Sequence, residues 1–160
     1  MKVRPATPED AEGMVAVLNA VIAAGGTTAH EKPKTAASVR AEYIDGPDVL
    51  SSVVAEYGGR IVGWQSVGMW LGEEHIGTFV APGLQAKGTG RGLFDLTLAV
   101  LFKRGVRQIY AAIRADNAPG LAYYRRIGFY DIGTDRDYAL SDGRKVGRVF
   151  RRYDLVTDPH

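Results

Sequence analysis

Val80-Ala81-Pro82-Gly83-Leu84-Gln85-Ala86-Lys87-Gly88-Thr89-Gly90-Arg91-Gly92 is the stretch on which the reading of this chain turns. His75 to Val80 before it reads as a strand, ended by Pro82-Gly83. Leu93, Leu96, Val100 and Leu101 after it recur at helical spacing and stop at Arg104-Gly105. A glycine cluster between a strand and a helix lets backbone approach a ligand closely. Its free N–H groups, with the helix N-terminus behind them, make an anion site whose natural guest is phosphate. Lys87 and Arg91 add positive charge beside it. Two nucleotide readings fail. Gly83 and Gly88 have Walker spacing, but Thr89-Gly90 stands where lysine and a hydroxyl belong. A dinucleotide fingerprint needs a small residue at 93, which is leucine.

Downstream, Gln108 to Ile113 reads as a buried strand. Asn117-Ala118-Pro119 opens a short helix ending near Ile127-Gly128, and two last strands are expected to flank an Asp142-Gly143 turn. Upstream, Lys2-Val3-Arg4 is a short extended start. Thr7 followed by Pro8-Glu9-Asp10 signals a helix start, carried on by Ala11, Met14, Leu18, Val21 and Ile22 and stopped by Gly25-Gly26. Thr35 caps a second helix running to about Tyr43. Val53 to Tyr57 and Ile61 to Trp70 read as strands joined at Gly58-Gly59, and Leu71-Gly72 breaks the second. The order is β, α, α, three strands, α, β, α, two strands. The expected fold is α/β: a mixed, mostly antiparallel sheet of about seven strands flanked by about four helices, with one parallel crossover at the glycine loop.

Composition bounds the function. The 160 residues make one domain, with 156–160 a loose tail. There is no cysteine, which excludes a disulfide scaffold, a thiol nucleophile and thiolate metal sites. The three histidines show no ligand spacing, so no metal is expected. Twenty basic against 18 acidic residues leave +2, too balanced to argue for nucleic acid. The longest apolar stretch, Met14 to Ala24, is broken by Asn19 and too short for a bilayer, and MKVRPATPEDAE lacks a secretory h-region. A cytoplasmic location is expected.

Gln85-Ala86-Lys87-Gly88-Thr89-Gly90 resembles the acyl-CoA pyrophosphate loop of the GNAT superfamily of N-acetyltransferases, Gln/Arg-x-x-Gly-x-Gly/Ala. Asn117 to Phe129, with Tyr124 four residues before Gly128, resembles the family's Asn…Tyr-x-x-x-Gly-Phe segment, and Val80-x-Pro82 its strand end. Together the likeness covers roughly residues 2 to 155. More loosely, Val3 to Thr7, Asn19 and Thr27 to Glu31 resemble the phosphinothricin and methionine sulfoximine acetyltransferase branch. Ala86 and Thr89 depart from the common glycine and isoleucine or leucine, which bears on loop tightness.

The resemblance implies acetyl transfer from acetyl-CoA to a primary amine by direct attack in a ternary complex. Gln85 to Arg91 would hold the donor's phosphates, Asn117 the pantetheine arm while capping its helix, and the Val80 backbone, with Phe79 beside it, the thioester oxygen. Tyr124 would protonate the leaving thiolate, with Tyr123 pointing about 100° away on the helix. His75 falls where that branch carries a glutamate base, with Glu73 and Glu74 just before it; an ordered water chain could serve instead. His30, Glu31, Trp64 and Trp70 would line the acceptor pocket, with core or a dimer interface the other reading of the tryptophans and a solvated loop that of His30 and Glu31. Arg144-Lys145, Arg148 and Arg151-Arg152 read as one solvated strand face, or as charge that attracts an acidic acceptor or the phosphates of CoA. A homodimer is implied by the branch. A non-catalytic acyl-CoA-binding module and a protein or peptide N-acetyltransferase stay as alternatives.

Overall fold

The computed structural model describes residues 1–84 and 88–155; Gln85, Ala86, Lys87 and the tail 156–160 lie outside the described residues. The elements are β1 (Lys2–Pro5), α1 (Ala11–Ala24), α2 (Ala36–Tyr43), β2 (Val49–Tyr57), β3 (Arg60–Trp70), β4 (Glu73–Val80), α3 (Thr89–Lys103), β5 (Gln108–Arg114), α4 (Ala118–Arg126), β6 (Tyr130–Asp135) and β7 (Arg148–Asp154). The strands form one seven-stranded sheet in the order β1-β2-β3-β4-β5-β7-β6. Each neighbouring pair is antiparallel except β4 with β5. The expected mixed sheet and its single crossover are therefore present.

Two helices cover each face. Met14, Leu18 and Val21 of α1 pack with Val39 of α2 on Val54, Trp64 and Phe79. On the opposite face Phe94 and Leu101 of α3 and Tyr124 of α4 pack on Val67, Ile76, Ile109 and Ile113. Strand alternation explains the division: consecutive side chains leave the sheet on opposite faces. Trp64 belongs to the core, fully buried, its indole N–H donating to the Met14 carbonyl at 2.9 Å.

Local signals hold with small shifts. The Pro8-Glu9-Asp10 turn is a 3-10 turn rather than the first turn of α1. Asp10 accepts from the Thr7 N–H at 2.7 Å and from Arg4 at 2.8 Å, which keeps that turn tight. Pro5 extends β1, tolerated because β1 is an edge strand. The final hairpin needs a correction. Asp142-Gly143 turns inside a long connection in which Ala139 and Lys145 form an isolated bridge, while β6 and β7 close at Asp135 opposite Arg148. Side-chain anchoring accounts for it: the Arg148 guanidinium lies 4.2 Å over the Tyr138 ring, and Ser141 donates to Glu31.

The basic run is also corrected. Arg148 and Arg152 stack on Tyr138 and Tyr110, whereas Arg151 is buried, donating to Asp131 at 2.6 Å and to the Leu121 carbonyl. Only part of the run is a solvated face. Among the described residues no helix is long and apolar enough to cross a membrane.

Candidate active site

The one parallel junction is also where the sheet opens. β4 and β5 share a single register pair, His75 with Tyr110, and the strands part beyond it toward Val80 and Arg114. The Ala81 N–H donates to Val62 of β3 at 2.8 Å. Successive N–H groups of a strand point to alternate edges, so the Val80 N–H points away from β3 and into the opening. Of the two candidates, Phe79 turns its N–H toward β3 and Val80 turns its own toward the gap.

On the α3/α4 face, α3 starts at the gap. Gly88 caps it at φ 75°, a left-handed conformation that suits glycine. The first intrahelical bond runs from the Gly92 N–H to the Gly88 carbonyl. The N–H groups of Thr89, Gly90 and Arg91 precede that bond and face outward, as an anion site requires. Thr89 is buried, its hydroxyl against Met1 Sδ, while Arg91 is exposed and pairs with Asp95 at 3.3 Å. Gln85, Ala86 and Lys87, also assigned to the donor, lie outside the described residues. Asn117 caps α4 by accepting from the Gly120 N–H at 2.9 Å and donates to the Thr27 carbonyl at 3.1 Å.

Tyr124 is buried against Phe129, its hydroxyl 2.9 Å from Thr78 Oγ1. Burial pushes its phenol well above the ordinary value, so it stays protonated near neutrality. Tyr123 does not point away from the site. Its ring packs on Tyr124, and its hydroxyl donates to the Gly90 carbonyl at 2.7 Å. Burial lifts the Tyr123 phenol to about 12. Gln65 Nε2 joins the two, 2.9 Å from Thr78 Oγ1 and 3.0 Å from Tyr123 Oη.

The α1/α2 face carries a different set. His75 lies between Trp70 and Tyr110, at ring distances of 5.0 and 6.0 Å. Its Nε2 is 3.5 Å from Glu73 and has no closer hydrogen-bond partner among the described residues. Burial first, and the charge of Arg148, lower the His75 pKa against the opposing carboxylates, leaving a neutral imidazole at pH 7. Glu74 is not brought to His75. It accepts from Gln108 at 2.7 Å beside Leu50 and Met69, because adjacent strand residues leave on opposite faces.

His30 donates to or accepts from Tyr43 Oη at 2.8 Å and packs near Phe79 at 6.1 Å; burial lowers its pKa too. Glu31 is engaged by Ser141 through its N–H and hydroxyl, so it braces a loop. Arg114, buried at the end of β5, donates to the Thr28 carbonyl at 3.1 Å and to Asp116, which ties the His30 segment to the open edge. The gap between β4 and β5 thus has the Tyr123–Tyr124 set on one face of the sheet and the His75 and His30 set on the other. Sequence reasoning missed Gln65, Thr78, Tyr110 and Arg114. An alternating strand marks each as inward or outward and says nothing of its partner. Among the described residues no cluster of three or more His, Asp or Glu could hold a metal ion.

Comparison with known proteins agrees with the fold. The chain is 27% identical over 163 residues to "Putative phosphinothricin acetyltransferase YwnH" of Bacillus subtilis (strain 168), covering 97% of this chain and 95% of that protein. It is 36% identical over 92 residues to a mycothiol acetyltransferase of Saccharomonospora viridis, of which it spans only 30%. A solved phosphinothricin acetyltransferase of Sinorhizobium meliloti, in complex with AcCoA, superposes with a TM-score of 0.83 at 20% identity, over 99% of this chain and 92% of that one. Residues 21–129 match the model of the acetyltransferase (GNAT) family. With a match over that much of its length, this chain belongs to the acetyltransferase (GNAT) family.

Proposed function

We propose that this chain transfers the acetyl group of acetyl-CoA to the primary amine of a small molecule, an amino acid or an analogue, by direct attack in a ternary complex. The observation that carries the reading is the gap between β4 and β5, with the Val80 N–H turned into it, Tyr124 on one face and His75 on the other. The N–H groups of Thr89, Gly90 and Arg91, ahead of the first intrahelical bond, suit the donor's phosphates, so the residues fit acetyl-CoA as a substrate. That substrate supplies a thioester carbon for the amine to attack.

Each step then has a group on this chain. A free alkylammonium has a pKa of about 10.4, so baring the amine at pH 7 costs about 4.6 kcal/mol. The neutral His75 imidazole, whose Nε2 has only Glu73 at 3.5 Å near it among the described residues, accepts that proton directly or through water. The nitrogen forms its bond to the acetyl carbon as the carbon–sulfur bond breaks. The Val80 N–H faces the oxygen that gains charge. Tyr124, held protonated by burial, gives its proton to the departing sulfur. His30, Trp70 and Tyr110 would shape the acceptor side.

The branch likeness supports a small acceptor, since the relative matched over nearly its whole length is named for phosphinothricin. A homodimer is part of the same reading, and sedimentation velocity tests it. The decisive experiment is acetyl-CoA-dependent thiol release against amino acids including methionine sulfoximine and phosphinothricin, with polyamines, aminoglycosides and peptides as other arms. Release with amino acids is expected. Release only with peptides would replace the acceptor class, and tight CoA binding without release from any amine would replace transfer by binding. Tyr124→Phe should lower kcat by about 10²–10⁴-fold with CoA binding kept. Unchanged turnover removes Tyr124 from its role.

A further inference from the structure

Gln65 is fully buried in β3, a polar side chain at a position whose face neighbour Val67 is plain core. Its surroundings fix which way its amide is turned. Tyr123 has a single hydroxyl proton, and the Gly90 carbonyl, which can only accept, takes it at 2.7 Å. Toward Gln65 the Tyr123 oxygen is therefore an acceptor. The group facing it must be the amide NH₂; a flipped amide would set two acceptors against each other. The amide's hydrogens then go to Tyr123 Oη at 3.0 Å and to Thr78 Oγ1 at 2.9 Å. Thr78 accepts from Gln65 and keeps its own proton. Two phenol oxygens can take that proton, Tyr124 Oη at 2.9 Å and Tyr123 Oη, and in the pair with Tyr124 either oxygen can be the donor. Once Thr78 donates to Tyr124, the phenolic proton of Tyr124 is left for a group outside the network.

We propose that Gln65 and Thr78 are positioning residues that set the direction of proton donation at Tyr124, anchored through Tyr123 on the Gly90 carbonyl of the glycine loop. The inference rests on the reading of Tyr124 as the acid. When the Tyr124 O–H bond breaks and the S–H bond forms, the charge left on the phenolate meets a hydrogen bond already donated by Thr78. Solvent later returns the proton. The Gln65 Oε1 has no partner among the described residues. A buried amide left half satisfied costs stability, and a fixed donor direction is what it provides in return.

The test is a steady-state comparison of the parent with Thr78→Val, Thr78→Ser, Tyr124→Phe and Thr78→Val/Tyr124→Phe. Thr78→Val keeps the shape and removes the donor to a group gaining charge, so kcat should fall about 10- to 100-fold with KM for acetyl-CoA within about twofold. Thr78→Ser should restore kcat, and the double variant should be no slower than Tyr124→Phe alone. Gln65→Met gives a second reading: it removes the amide hydrogen bonds that orient Thr78 and Tyr123, so kcat should fall with both hydroxyls intact. Full turnover in Thr78→Val and Gln65→Met while Tyr124→Phe is impaired overturns the inference alone. So does a double variant whose loss is the product of the single losses. Full turnover in Tyr124→Phe overturns the acid assignment, and this inference with it.

Discussion

Gly90→Ala is a perturbation on which two physical arguments disagree, and the structure decides between them. Gly90 sits in the first turn of α3 with ordinary helical backbone, where alanine is better than glycine by up to about 1 kcal/mol. The family pattern accepts alanine at that place as well. Here an added Cβ would lie 2.5 Å from Tyr123 Cε1 and 3.2 Å from both Cδ1 and Cζ. The ring must retreat by about 1 Å to reach van der Waals contact, and overpacking of this kind costs about 1–3 kcal/mol. The retreat also breaks the hydrogen bond from Tyr123 to the Gly90 carbonyl, worth about 1 kcal/mol. The losses exceed the propensity gain by about 1–3 kcal/mol. For a chain of this length the melting temperature should drop by about 2–12 °C. Thermal unfolding followed by circular dichroism measures it. The same change in a Tyr123→Leu background, where no ring is present, should be neutral or stabilising, a coupling of at least about 1 kcal/mol. A Gly90→Ala variant that melts at or above the parent would refute the steric argument.

Two further outcomes follow from named groups. Leu71, at the turn between β3 and β4, is 79% exposed and holds φ 52°, a left-handed conformation costly for a side chain of its kind. Leu71→Asn or Leu71→Gly should raise stability by about 1 kcal/mol in denaturant unfolding, and a loss would show that the leucine makes a contact worth more than the strain. His75 and His30 both have lowered pKa values, chiefly from burial. The unfolded chain then binds more protons just below pH 6.5, so stability should fall as pH drops from about 6.5 toward the folded-state values. His75→Gln should flatten that slope and remove the acid limb of kcat/KM, and an unchanged acid limb would take His75 out of the base role.

The local elements were open to reading because their causes are local. Gly58-Gly59 turns a hairpin, Thr35 caps α2 through the Ser38 N–H, and Asn117 caps α4. Each is a matter of φ or of one unsatisfied donor within a few residues. The glycine run before α3 and the Tyr124 spacing were legible for the same reason. The long connection around Asp142-Gly143 was not, since Arg148 and Glu31 anchor it from other parts of the chain.

Pairings across elements belong to the fold. Glu73 and Glu74 look equivalent beside His75 until strand parity puts Glu73 on its face and Glu74 on the other. Arg151 looks as solvated as Arg152 until β7 turns it under α4. The sequence by itself determined the order of elements and pointed to the glycine run before α3 and to Tyr124, because backbone geometry and capping act over a few residues. Only the tertiary structure decided which groups meet. Gln65 of β3, Thr78 of β4 and Tyr123 and Tyr124 of α4 converge beneath the gap because the sheet and α4 pack there, and hydrogen bonds depend on that distance, whatever the separation along the chain.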